Sequence, residues 1–388
     1  MLLNDLSTYL AGEFTLENPC YSLDENMECH TYDFLSDISF RFDNENELFN
    51  IHLDGVHLDS GEKENQKFRY AIFAPAQNKK FSEAIILFHG LNERNWKKYL
   101  PWAYHLALQT QKPVILFPIA YHMNRSPLTW ICPRLMNQFS ISRKATVPAI
   151  ENSSFANVAL SLRMDACPEL FALSGIQTYF DIIKLTSAMK AGRFEIFQNN
   201  CHIHFFAYSI GALLTEILLI SNPLQLFSDS RAFFFCGGST FDKINGNSRS
   251  IMDSHAFAHL RNHTLNHTAV FGKEIQIPEQ QIHLLEDGWK AFLTMSGIRN
   301  YDHYREIAFN HLINRIKAIG LQGDSVVSGH AIKDTLNVWN NTCFDVDIMD
   351  FPFKYSHEVP FPVHNQKIND TVTQSFHLVF QKASMFLS

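Results

Sequence analysis

The chain is short of charge. Asp, Glu, Lys and Arg make up only 18 % of its 388 residues, against 46 % hydrophobic ones, which excludes a disordered chain. It also lacks a basic excess. The formal net charge is −7, so there is no footing for nucleic acid or an anionic lipid surface, both of which need clustered Lys and Arg. No Cys-x-x-Cys pair occurs. The seven cysteines (Cys20, Cys29, Cys132, Cys167, Cys201, Cys236 and Cys343) are scattered and odd in number. That excludes a disulfide framework and reads as buried thiols in a reducing compartment. No apolar run is long enough for a membrane span: the richest, Phe205 to Ile220, is broken by Ser209, Thr215 and Glu216. The opening Met-Leu-Leu-Asn-Asp-Leu has neither the basic start nor the apolar run of a secretory leader. A soluble, cytoplasmic protein is expected. Aromatics, by contrast, abound: 34 Phe, 12 Tyr and 5 Trp against 16 Gly. They either fill a large core or line an apolar cavity.

No repeat or low-complexity segment interrupts the chain. Residues 1–37 are polar and irregular and read as an N-terminal arm, leaving 38–388 as one α/β domain. Three strand-like pieces (Ile38–Phe42, Leu48–His57 and Phe68–Phe73) suit antiparallel pairing. Continuous apolar runs then alternate with helical spacing. Ala84–Phe88, Pro113–Ile119, His202–Tyr208, Ala232–Cys236, Ile316–Leu321 and Val346–Met349 read as strands buried on both faces, and 96–109, 175–189, 211–220 and 370–387 as helices. That alternation predicts an α/β fold with a mostly parallel, doubly wound sheet. Two stretches, about 121–174 and 240–312, are too long for simple crossovers and are expected to be helical cap insertions.

The strongest local signal is Ala207-Tyr208-Ser209-Ile210-Gly211, between an apolar strand and an amphipathic helix. A sharp strand-to-helix turn needs small residues two before and two after its centre, and it lifts the central side chain above the sheet edge. Ser209 is thereby a candidate nucleophile. A serine hydroxyl needs a base, and the base an orienting group. Of 19 histidines, His357 sits in a loop after the last strand and before the closing helix, and Asp324 follows Gly323 after the preceding strand. His364, His377, Asp334, Asp345, Asp347 and Asp350 are weaker alternatives. An oxyanion needs two N–H donors; Ile210, after the serine, and Leu91, in the His89-Gly90-Leu91-Asn92 loop, are placed to give them. His89 reads as a support for that loop.

The succession His89-Gly90, Ala207-x-Ser209-x-Gly211, Gly323-Asp324 and His357 resembles the α/β-hydrolase superfamily over about residues 65–388, with Ala207 where glycine is usual. The wording around His89–Arg94 and Phe117–Arg125 looks like a bacterial branch that brings no substrate with it. The resemblance implies an eight-stranded, mostly parallel sheet, a Ser–Asp–His triad and acyl transfer without a cofactor, on a small ester or related acyl substrate. Peptide hydrolysis stays open beside it.

Substrate contacts are expected from Asn92, from Tyr121, Asn124 and Arg125 beyond a parallel strand's C-terminal end, from Tyr208, and from Phe353 and Phe361 near His357. Arg125 could instead bind the protein's own carboxylates. Phe139, Phe155, Phe171, Phe257, Phe292 and Phe351 are further candidates for an apolar acyl pocket. Two rival readings remain. One is a ligand-binding scaffold without turnover. The other is a metal-dependent hydrolase using His255, His259, His263 and His267, whose i, i+4 spacing puts neighbours on one helix face.

Overall fold

A computed structural model describes residues 1–40, 52–53, 56–58, 60–76, 80–266, 275–337 and 344–388. Its centre is a nine-stranded sheet in the order β1-β2-β3-β5-β4-β6-β7-β8-β9. These strands are β1 (Cys20–Ser22), β2 (Met27–Leu35), β3 (Lys67–Pro75), β4 (Phe81–Phe88), β5 (Val114–Leu116), β6 (Phe197–Tyr208), β7 (Ala232–Phe235), β8 (Ile316–Leu321) and β9 (Asp345–Met349). From β5 to β9 all neighbours are parallel, and β1, β2 and β3 close one edge antiparallel. The architecture is the expected α/β one, with nine strands in place of eight.

The strand runs are continuously apolar because both faces are covered. Alternate residues feed two cores. Ile86, Phe88, Phe205 and Phe234 face one side; Ile85, Leu87, Phe206 and Phe235 face the other. On the first side lie α5 (Glu169–Lys190), α6 (Ile210–Ser221) and α8 (Ile282–Ser296); on the second, α1 (Leu3–Glu13), α2 (Leu100–Thr110) and α11 (Asn369–Leu387). Much of the phenylalanine excess sits here, as in the Phe206–Phe380 stack with ring centroids 5.2 Å apart.

Residues 1–37 are not an arm. Helix α1 buries Leu3 and Leu10 against α2 and α11, each side chain contributing about 1.5–3 kcal/mol. Strand β2 pairs with β3 along nine residues, from Met27–Pro75 to Leu35–Lys67. Its buried positions alternate from Met27 to Thr31, which a polar sequence hides. Within the expected strand at 38–42, Ser39–Phe40 pairs with Ile275–Gln276 outside the central sheet, and residues 41–42 and most of Leu48–His57 lie outside the described residues.

The first insertion is more helical than its Pro, Ser and Asn content suggests, with α3 (Pro133–Thr146) and α4 (Val158–Ala166). The second carries α7 (Ser254–Asn266), α8 and α9 (Asp302–Asn310). Buried Arg143 clasps the two, donating to both Asp253 oxygens at 2.6 and 3.1 Å and to Asp165 at 2.9 Å.

A second buried pair locks β5's exit to α5. Arg125, fully buried, lies 3.0 Å from Asp181, donates to the carbonyls of Asn65 and Pro118, and stacks over Phe68 at 4.0 Å. Ser36 donates to the other Asp181 oxygen at 2.6 Å. Asp181→Ala strands the guanidinium in a dry site and is expected to cost about 3–5 kcal/mol. Urea unfolding measures it. Arg125→Met combined with Asp181→Leu should lose less than the single change, since no charge is left unpaired. A loss under about 1 kcal/mol for Asp181→Ala would show that water reaches the pair.

Candidate active site

The site forms where β4, β6 and β8 end. Strand β6 runs to Tyr208 and α6 begins at Ile210, so one residue, Ser209, makes the whole turn, at φ 56° and ψ −123°. A positive φ on a non-glycine residue costs about 1–3 kcal/mol and persists only where the surroundings enforce it. Here they do. A Cβ on Gly211 would lie 2.7 Å from Cβ of Phe88 and 2.9 Å from the His89 carbonyl. One on Gly237 would lie 2.7 Å from both Cβ of Ala212 and the Ser209 carbonyl. The crowding at +2 that the sequence implied is therefore present, and Ala207 packs fully buried at −2.

Ser209 Oγ is 2.7 Å from Nε2 of His357, and Nδ1 of His357 is 2.7 Å from Oδ2 of Asp324. All three residues are at least 94 % buried. The other Asp324 oxygen accepts the N–H groups of Val326 and Val327, at 2.8 and 2.9 Å, so the carboxylate cannot rotate. Behind His357, the Tyr208 ring stacks at 5.4 Å between centroids, and its hydroxyl donates to the His357 carbonyl. Lys98 spans two loops: it pairs with Glu93, donates to the Glu358 carbonyl at 3.2 Å, and sits 4.6 Å over the Tyr208 ring.

His89 is a support. Its Nδ1 donates to the Gly90 carbonyl at 2.8 Å and its Nε2 accepts from the N–H of Ile119 at 3.0 Å. Burial pushes it well below the usual histidine range, which keeps it neutral. Ile210 opens α6, so its N–H has no partner within the helix. Leu91 and Ile210 border one apolar cavity of about 70 Å³. Its walls are Phe171, Ile176 and Tyr179 of α5, Leu214 of α6, and Trp289 and Phe292 of α8. His122 adds a neutral wall: its Nδ1 donates to the Ala120 carbonyl, and burial pushes it down to about 4.

Residues 19–388 match a family described as a family of unknown function, DUF6051. The chain belongs to that family. No curated protein matches it. Similar solved structures include a cold-adapted esterase from an Arctic intertidal metagenomic library, with 8 % identity, 93 % of this chain and 99 % of that one covered, and a TM-score of 0.40. A thermostable esterase from Pseudomonas putida ECU1011 has 10 % identity, 99 % and 88 % coverage, and a TM-score of 0.44. Carboxyl esterase 2 from the mycorrhizal fungus Tuber melanosporum has 7 % identity, 98 % and 97 % coverage, and a TM-score of 0.44. Likeness at that level says nothing about chemistry, which has to come from this chain's own side chains.

In this DUF6051 chain none of the seven expected substrate contacts lines the cavity that Leu91 and Ile210 border. Asn92 ties the segments 121–174 and 240–312 together, donating to the carbonyls of Ala156 and Ser250 at 2.9 and 2.6 Å. Tyr121 packs on Trp130 under the Arg163 guanidinium. Asn124 bonds Arg69 and Trp96, and Arg125 is spent on Asp181. Tyr208 backs His357. Phe353 and Phe361, with Phe351, belong to the second core. Strand ends do mark the ligand side of such a sheet, but here the segment 62–66 and α5 close over the end of β5.

Of the insertion phenylalanines only Phe171 and Phe292 reach the cavity; Phe139 packs in a satellite core, Phe155 is exposed, and Phe257 packs against the first core. Sequence reasoning missed Ile176, Tyr179, Leu214 and Trp289, whose signal was helical periodicity.

The rival residues are engaged elsewhere. Asp345 and Asp347 pair with Lys317 and Lys382, Asp350 accepts from Tyr355, and Asp334, His364 and His377 are exposed. His255 and His259 share one oxygen of Asp165, at 3.1 and 3.3 Å, and His263 meets Glu169 at 3.1 Å. His267 lies outside the described residues. Among the described residues, no group of three converging metal-ligating atoms includes a histidine of this ladder. Cys20 and Cys132 are exposed, contrary to expectation; Cys29, Cys167, Cys201 and Cys236 are buried, and Cys343 lies outside the described residues. No helix among the described residues is long and apolar enough to cross a membrane.

Proposed function

We propose that the chain is a serine hydrolase of the α/β-hydrolase superfamily, cleaving a carboxylic ester with a short apolar acyl group. What carries the reading is the hydrogen-bonded line Asp324–His357–Ser209, ending on a strained serine whose neighbour Ile210 lines an apolar cavity.

Ser209 Oγ attacks the acyl carbon as its proton passes to Nε2 of His357. The N–H groups of Leu91 and Ile210 hold the resulting oxyanion. The intermediate collapses, the C–O bond to the alcohol breaks, and the alcohol leaves with the proton from His357. Water then attacks the acyl-enzyme, giving its proton to His357, and Ser209 recovers a proton as the acid departs. Asp324 keeps Nδ1 protonated throughout and stabilises the imidazolium.

A fluorophosphonate probe is expected to label Ser209, and His357→Ala to abolish labelling; labelling at another residue overturns the assignment. The cavity sets chain length. At about 70 Å³ it is smaller than the ~150 Å³ cavity that takes up benzene, so about four acyl carbons fill it. Across p-nitrophenyl esters, kcat/KM is expected to peak near butyrate. Leu214→Phe should lose butyrate about tenfold while keeping acetate, and Trp289→Ala should move the peak to longer chains, each missing or added methylene being worth about 1–3 kcal/mol. A preference for charged acyl groups would count against this cavity as the acyl site.

A further inference from the structure

We infer that the antiparallel edge of the sheet carries a zinc site formed by Cys20, Glu28 and His30. The register makes it. Cys20 of β1 lies directly opposite His30 of β2, and Ser22 opposite Glu28. Opposed residues share a face, as do positions two apart in a strand. Cys20, His30 and Glu28 therefore project together, while Tyr21 and Cys29 project to the other side, where Cys29 is buried.

The donor atoms of the three residues lie within 4.8 Å of one another, and among the described residues no other such group of three occurs. The His30 imidazole is already 3.1 Å from the Glu28 carboxylate. Tetrahedral zinc holds nitrogen and oxygen ligands at about 2.0–2.2 Å, and hence about 3.3 Å apart. Side-chain rotation of roughly 1 Å closes the set.

The chemistry of the donors selects the ion. Thiolate, imidazole and carboxylate together suit zinc; magnesium and calcium want oxygen alone. Binding releases the Cys20 thiol proton to solvent, and solvent supplies the fourth ligand, since the edge is open. The ion would bridge the three-residue outer strand β1 to β2 and so hold residues 1–22 to the sheet. The site is separate from Ser209 and does not depend on the hydrolase reading.

The test uses the untagged full chain, freed of metal, titrated with zinc against a chromophoric chelator. One equivalent is expected to bind, with Cys20→Ser and His30→Ala each weakening it about tenfold or more. Zinc should also slow iodoacetamide alkylation at Cys20 and leave Cys132, the other exposed thiol among the described residues, unprotected. Cys20 is exposed on an edge strand, so Cys20→Ser should leave the melting temperature of the metal-free chain unchanged. Absence of a stoichiometric zinc, equal affinity in Cys20→Ser, or equal protection of Cys132 would overturn the proposal and leave Glu28–His30 as a surface pair.

Discussion

Ser209→Ala is expected to lower kcat on a short-chain ester by ~10³-fold at the least and towards ~10⁶-fold, with KM little changed. The oxygen removed is the one 2.7 Å from Nε2 of His357. The residual rate would come from binding and the oxyanion donors, which the change leaves intact. KM should hold because the residues that line the cavity, from α5, α6, α8 and the loops of Leu91 and His122, make no use of the hydroxyl. Ser209→Gly separates chemistry from fold. Glycine adopts a positive φ without the cost that φ 56° imposes on serine, so this variant should be as inactive but melt at or above the parent temperature. An unchanged kcat in either variant sinks the serine mechanism, whereas ligand binding with no turnover by the parent chain restores the reading of a scaffold that binds without turnover.

The candidate triad was legible for a local reason. A strand-to-helix turn imposes steric demands on residues two before and two after its centre, and those demands are written in Ala207 and Gly211. Chain order then placed Asp324 and His357, because in a parallel sheet successive strands deliver their loops to one edge. The substrate contacts were not legible, because they depend on what covers that edge. Arg125 and Tyr121 stand where a ligand could be met, yet Asn65 and Asp181, distant in sequence, enclose them together with nearby Trp130. Residues 1–37 escaped for a related reason. A strand half covered at one face, such as β2, keeps Glu28, His30 and Asp33 in its pattern, and its pairing partner begins more than thirty residues later. The phenylalanine count divides accordingly: most of it is sheet and core, and Phe171 and Phe292 form the small share that walls the cavity.

Asp324→Asn should be nearly as damaging as loss of the serine, lowering kcat by ~10⁴-fold without disturbing the fold. The reason is orientation. Two backbone N–H groups, from Val326 and Val327, point at Oδ1 of Asp324. An asparagine must turn its carbonyl oxygen to them, because its NH₂ would meet two donors head on. That leaves the NH₂ facing Nδ1 of His357, which must then accept rather than donate. The imidazole is forced into the tautomer with its proton on Nε2, where it faces the Ser209 hydroxyl and cannot take its proton. Asp324→Ala lacks that constraint: the ring can choose its tautomer, with water as partner, and the loss should be smaller than for the nearly isosteric asparagine. Steady-state kinetics on the two variants, with thermal melts to show that both fold, make the comparison. If Asp324→Asn retains more activity than Asp324→Ala, the carboxylate acts through something other than the tautomer, and the N–H groups of Val326 and Val327 do not govern which nitrogen of His357 carries the proton.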